Sequence, residues 1–182
     1  MKTILQVEDD PNDVFFLQHA MSKVGMANPV HVVSDGQQAI DYLKGAGKFA
    51  DREQFPLPCL VLLDLKLPHV MGLDVLKWIR QQPGMALVVL LLTAPGENVD
   101  IATAYRLGAN AFLVKPAQAR KLEEMVRAIR DFWLTQNTLP GVRYSGFQPF
   151  GQGTIGVREE RRDDIWLMQQ GTPPRSGNPA GR

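Results

Sequence analysis

The chain has 182 residues, 45% hydrophobic and 21% charged, with a formal net charge of +1; it can fill one well-cored domain with length to spare, and it lacks the charge excess that draws proteins to nucleic acid or membrane. Cys59 is the only cysteine, which excludes an intrachain disulfide or a cysteine metal cluster and reads as a packed thiol. The longest uncharged apolar run, 86–92, is too short to cross a bilayer, and the few apolar residues before Glu8-Asp9-Asp10 are too few for a signal peptide, so a cytoplasmic protein is expected.

Five apolar runs of strand length alternate with segments of helical periodicity. The first strand covers 4–7 and carries one polar residue, Gln6, which needs a hydrogen-bond partner or a less buried position. In the following "DDPND", Asp10 suits an N-cap, Pro11 the first helical position, and the acid after it the first turn. Val14, Leu17, Met21 and Val24 then line one helical face, and Gly25 ends it. The second strand is 30–33. A second helix starts at Asp35 and buries Ala39, Ile40 and Leu43. Residues 45–58 form a long loop, uncommon without a role.

The third strand, 59–63, is five apolar residues that end on Asp64. A third helix buries Val75, Leu76 and Ile79 and stops before Pro83-Gly84. The fourth strand is 87–92, and a fourth helix over 97–107 closes at Gly108. The fifth strand, 111–114, precedes a helix that starts near Ala117 and buries Leu122, Met125, Val126, Ile129 and Phe132. Beyond Leu134 the pattern dissolves: 135–182 holds 8 Gly and 5 Pro in 48 residues, a composition near that of flexible chain. Within it only 158–170 has helix-forming content, with Ile165, Trp166 and Leu167 as a candidate docking patch.

Near-continuous apolar strands alternating with amphipathic helices imply an α/β fold whose parallel sheet is covered on both faces. Ligands of such sheets sit beyond the carboxyl ends of the strands. Glu8 and Asp9 follow the first strand, Asp64 the third, Thr93 the fourth and Lys115 the fifth. Clustered carboxylates raise one another's pKa unless a cation neutralises them. Oxygen ligands without His or Cys point to Mg2+, and His19, His31 and His69 have no metal-site spacing. With Mg2+, an ammonium and a hydroxyl around it, Asp64 is a candidate nucleophile toward phosphorus. Any one of these residues alone reads as a cap or turn residue; at successive strand ends they read as a site.

"ILQVEDD", "LVLLDLKLPHVMGLDVLKWIR", "LLLTA" and "GANAFLVKP" resemble the receiver domain of two-component response regulators over about residues 2–134. The resemblance implies a flavodoxin-like, doubly wound five-stranded sheet in the order 2-1-3-4-5, with 1–134 as the receiver domain and 135–182 as a flexible tail. It makes Asp64 the phosphoacceptor for a sensor histidine kinase, and the chain a signalling phosphoprotein rather than a turnover enzyme. Asp9 is then the direct Mg2+ ligand and Glu8 a ligand through water. The carbonyl of Lys66 completes the protein ligands. Thr93 is the switch hydroxyl, Lys115 the active-site lysine and Phe112 the aromatic switch position. The fourth helix, fifth strand and fifth helix would form the responsive surface, open to a second copy or another partner.

The long loop before the third strand and "RDFWL" narrow the likeness to single-domain regulators paired with phytochromes, without a DNA-binding output. Lys66 and Pro95 flank the site where attacking water is controlled and lead us to expect a long-lived phosphoryl group. Three rivals fit less well. A haloacid-dehalogenase-type phosphatase needs a second Asp where Lys66 stands. A nucleotide- or flavin-binding protein needs a phosphate loop where Glu8 and Asp9 stand. A scaffold that is never phosphorylated leaves the acids, Thr93 and Lys115 without a task.

Overall fold

The computed structural model describes residues 2–95 and 101–139. The segment 158–170, with its candidate docking patch, lies outside them, as does the rest of the chain beyond 139. The strands are β1 (Ile4–Val7), β2 (Val30–Val33), β3 (Leu60–Asp64), β4 (Val88–Thr93) and β5 (Ala111–Val114). All pairings are parallel, in the order β2-β1-β3-β4-β5. The helices are α1 (Pro11–Lys23), α2 (Gly36–Lys44), α3 (Gly72–Gln81), α4 (Ile101–Arg106) and α5 (Ala119–Ile129). The sheet order is the flavodoxin-like one. The expected start of the fourth helix falls in 97–100, outside the described residues.

Strand alternation divides the core into two layers. Leu5, Val7, Val61, Leu63, Val89 and Leu91 pack with α2, α3 and Ala104 of α4 on one face. Ile4, Leu60, Leu62, Leu90 and Leu92 pack with α1 and α5 on the other. The three inner strands are buried along their whole length, so they fix the height and direction of whatever follows their last residues. Cys59 packs partly buried against the second layer, and burial raises its thiol pKa, which suits an inert role.

The long loop has a structural role. Arg52 donates to the carbonyls of Tyr42 and Leu43 at 2.8 Å and of Phe55 at 3.1 Å, so its guanidinium caps the end of α2. Tyr42, Phe49, Phe55 and His31 meet edge to face or tilted around it, and the Tyr42 hydroxyl donates to Pro56 at 2.8 Å. His31 belongs to this cluster, which accounts for it without a metal.

Two readings change. Phe132, expected in the core, is 52% exposed. From Arg130 to Gln136 the last helix widens into a π-helix, closed by an i to i+5 bond from Asn137 to Phe132. The wider turn shifts the apolar stripe, so Leu134 is buried and Trp133 packs against the core instead. The second concerns Gln6. It is 1% exposed, and among the described residues neither amide atom has a hydrogen-bond partner. A buried amide without partners costs the protein its desolvation energy. Gln6→Leu is therefore expected to raise stability to chemical denaturation by about 1 kcal/mol; a less stable variant would show that the amide has a partner.

Candidate functional site

The site forms where β1, β3, β4 and β5 end. Glu8 follows β1 and is 4% exposed, while Asp9 is exposed. Asp64 is the last residue of β3 and is 6% exposed. One carboxylate oxygen from each of Glu8, Asp9 and Asp64 lies within 4.8 Å of the others. That is an oxygen-only set, and it fits a hard divalent cation.

The loop after Asp64 is held tightly. The Lys66 N–H donates to Asp64 Oδ2 at 2.8 Å, the Leu65 N–H to Leu92 at 3.2 Å, and the Gly72 N–H to Leu65 at 3.0 Å. A Cβ on Gly72 would strike the Asp64 carbonyl oxygen, and one on Gly36 the Val70 carbonyl oxygen. Glycine is required at both for close backbone approach rather than for a left-handed turn. Leu65 and Leu67 turn into the core while the Lys66 side chain stays exposed.

Lys115, just after β5, reaches into the acids. Its ammonium lies 2.8 Å from Asp64 Oδ1 and 2.8 Å from Asp13 Oδ2, and it also pairs closely with Glu8 Oε2. Burial opposes the lysine's charge, but bonds from Asp13, Asp64 and Glu8 outweigh it and lift the pKa above the ordinary lysine value. Burial raises the Glu8 pKa, and Lys115 holds it back only in part.

Asp13 was not singled out from sequence, where it reads only as the acid in the first turn of α1. The available signal was its place at the third helical position, one turn from the acidic end of β1. Asp10 caps that helix, accepting from the Asn12 N–H at 2.8 Å, and Pro11 opens it. The cap fixes the backbone on which Asp13 stands.

Thr93 is the last residue of β4 and is 3% exposed; its hydroxyl donates to the Ala94 carbonyl at a long 3.4 Å. Phe112 pairs in register with Leu91, and Val114 with Thr93. Phe112 packs partly buried on the α2–α3–α4 layer, so it shares a face with Leu91 and, by alternation, with Thr93. Thr93 and Phe112 thus stand one step apart on adjacent strands. His19 stacks on Phe15, and His69 lies exposed with φ 65°. Neither joins the acidic set.

The model of the response regulator receiver domain matches residues 4–127. Response regulator Rcp1 of Synechocystis is 34% identical over 140 residues, covering 76% of this chain and 93% of that protein. The phosphorylated cyanobacterial phytochrome response regulator RcpA has a similar structure. Its TM-score is 0.69 at 34% identity, over 76% of this chain and 98% of that one. The Mn2+-bound form of Rcp1 gives 0.68 at 34% identity, over 77% and 99%.

A pH dependence follows from the pair of Glu8 and Lys115. With a raised pKa, Glu8 binds its proton more tightly folded than unfolded. Its contribution therefore weakens as pH rises from the ordinary 4.5 through the raised value. Lys115, with its pKa raised, contributes across neutral pH and loses that contribution only in the alkaline range. Lys115→Met leaves Glu8 without its cation, so the variant should be less stable than wild type by about 2 kcal/mol at neutral pH, the scale of a charge-assisted hydrogen bond. The gap should narrow as pH falls through the raised Glu8 pKa and Glu8 protonates. A gap that stays constant with pH in denaturant melts would contradict this electrostatic account.

Proposed function

Because the chain belongs to the response regulator receiver domain family, we propose that Asp64 is its phosphoacceptor, and that Glu8, Asp9, Thr93, Lys115 and Phe112 carry out phosphotransfer and its readout. The observation that carries the reading is the meeting of Glu8, Asp9 and Asp64 within 4.8 Å, with Lys115 placed 2.8 Å from Asp64. The Lys66 N–H on one Asp64 oxygen and the Lys115 ammonium on the other hold the carboxylate in one orientation. Such positioning supplies much of the rate in phosphoryl transfer, where the protein's main tasks are alignment and charge stabilisation.

An Asp64 oxygen attacks the phosphorus of a phosphohistidine on a sensor kinase. The P–O bond forms as the P–N bond breaks, leaving the kinase imidazole and an acyl phosphate on Asp64. Lys115, already against Asp64, meets the added negative charge. Mg2+ held by Glu8, Asp9, Asp64 and the Lys66 carbonyl would neutralise charge on the carboxylates and the phosphoryl oxygens. The Mn2+-bound relative supports a divalent cation in this fold.

Thr93 then turns its hydroxyl toward a phosphoryl oxygen, and the space it leaves on its face of β4 is taken by the neighbouring Phe112 ring. Exposed Ile101, Tyr105 and Val114 lie on α4 and β5, the surface such a rearrangement would alter for a second copy or another partner. The likeness to a phytochrome response regulator supports a phytochrome as the cognate kinase. Lys66 where a phosphatase would need a second acid argues against hydrolytic turnover.

Asp64→Asn should take no label from the phosphorylated kinase, and persistent labelling would overturn the assignment. Thr93→Ala should still be phosphorylated but lose the NMR shifts that phosphorylation causes in β5. Full shifts in that variant would remove Thr93 from the switch.

A further inference from the structure

An ammonium has three N–H donors, and Lys115 has three carboxylate partners: Glu8, Asp13 and Asp64. Two of them, Glu8 and Asp64, also belong to the oxygen set that fits a divalent cation. Asp13 does not. It sits on the first turn of α1, and its side chain is 40% exposed, against 4% for Glu8 and 9% for Asp64. Three carboxylates therefore share one ammonium, and Asp9 adds a fourth acid to the same rim.

We propose that Asp13 is a positioning residue for phosphotransfer: it anchors the Lys115 ammonium at the site when Glu8 and Asp64 turn their oxygens to a divalent cation. The role rests on the phosphoacceptor reading of Asp64. A dication competes for the oxygens that hold Lys115 and repels its charge. Of the three carboxylates on the lysine, only Asp13 stands outside that competition, and its backbone is fixed by the Asp10 cap and Pro11. Without it the ammonium keeps two partners in the metal-free protein and loses its hold once the cation enters. Asp13 also places an acid in the first turn of α1, which stabilises the helix by itself, so the test must separate the two effects.

The test follows the Lys115 ammonium by its 15N–1H NMR signal, with and without Mg2+, together with the rate of labelling by acetyl phosphate at saturating Mg2+. Wild type should keep the signal when Mg2+ is added. Asp13→Asn should show it without metal and lose it with Mg2+, and its labelling should slow by about tenfold, the scale of one charge-assisted hydrogen bond. Asp13→Glu should recover part of both. The double variant Asn12→Asp/Asp13→Asn returns an acid to the first turn and should recover stability but neither the signal nor the rate.

A Lys115 signal in Asp13→Asn that survives Mg2+, or labelling at the wild-type rate, overturns the proposal. Recovery of signal and rate in the double variant also overturns it, since helix charge alone would then explain the effect. Wild type that takes no label overturns the phosphoacceptor reading and this role with it. Normal wild-type labelling beside an unaffected Asp13→Asn overturns only the Asp13 role.

Discussion

The rim of this sheet is governed by one imbalance: three carboxylates share a single ammonium, and a fourth, Asp9, belongs to the same acidic set. Two like charges about 4 Å apart repel by roughly 4 kcal/mol at an effective dielectric near 20, and Lys115 offsets only part of such repulsion. The burial that raises the pKa of Glu8 is the same burial that makes the site attract a cation. A folded protein that keeps such a cluster at the ends of β1 and β3 and on the first turn of α1 accepts a stability cost at a functional site. The rest of the fold can be read as the means of holding that cluster in place. Buried inner strands set the height of Glu8, Asp64 and Thr93, Gly72 lets the backbone close against Asp64, and Gly36 lets it close against Val70 of the following loop.

The two faces of the sheet divide the proposed work. Lys115, Glu8 and Asp13 line a cavity of about 290 Å³ between α1 and α5, on the side where charge is balanced. Phe112 belongs to the opposite layer, next to Leu91 and one step from Thr93. On the proposed reading, a change in the charge of Asp64, at the end of β3, would reach Lys115 by direct contact and Phe112 by way of Thr93. Such an arrangement would couple a local electrostatic event to a surface without requiring the sheet to move.

Much of this was legible in the sequence because it depends on features a chain displays locally. Apolar runs of strand length between periodic segments gave the βα alternation. Counting which polar residue follows each run brought Glu8, Asp9, Asp64, Thr93 and Lys115 to one rim. What stayed hidden depends on three-dimensional geometry. Asp13 looks like any first-turn acid, and only the direction of α1 turns it toward Lys115. Phe132 follows the helical period until the π-turn breaks it, and no local residue type announces that turn. The 45–58 loop reads as an oddity until Arg52 is seen capping α2. Gln6 shows its polarity in sequence but not its lack of a partner, which is a property of the surrounding packing.

The central claim is that the phosphoryl group resides on Asp64. Reduction of the freshly phosphorylated protein with borohydride converts an aspartyl phosphate to homoserine, and peptide mass spectrometry then locates the altered residue. The account predicts homoserine at position 64 alone, formed only when a divalent cation is supplied during phosphorylation. Homoserine at position 9 or 13, or a stable label that borohydride leaves untouched, would contradict it.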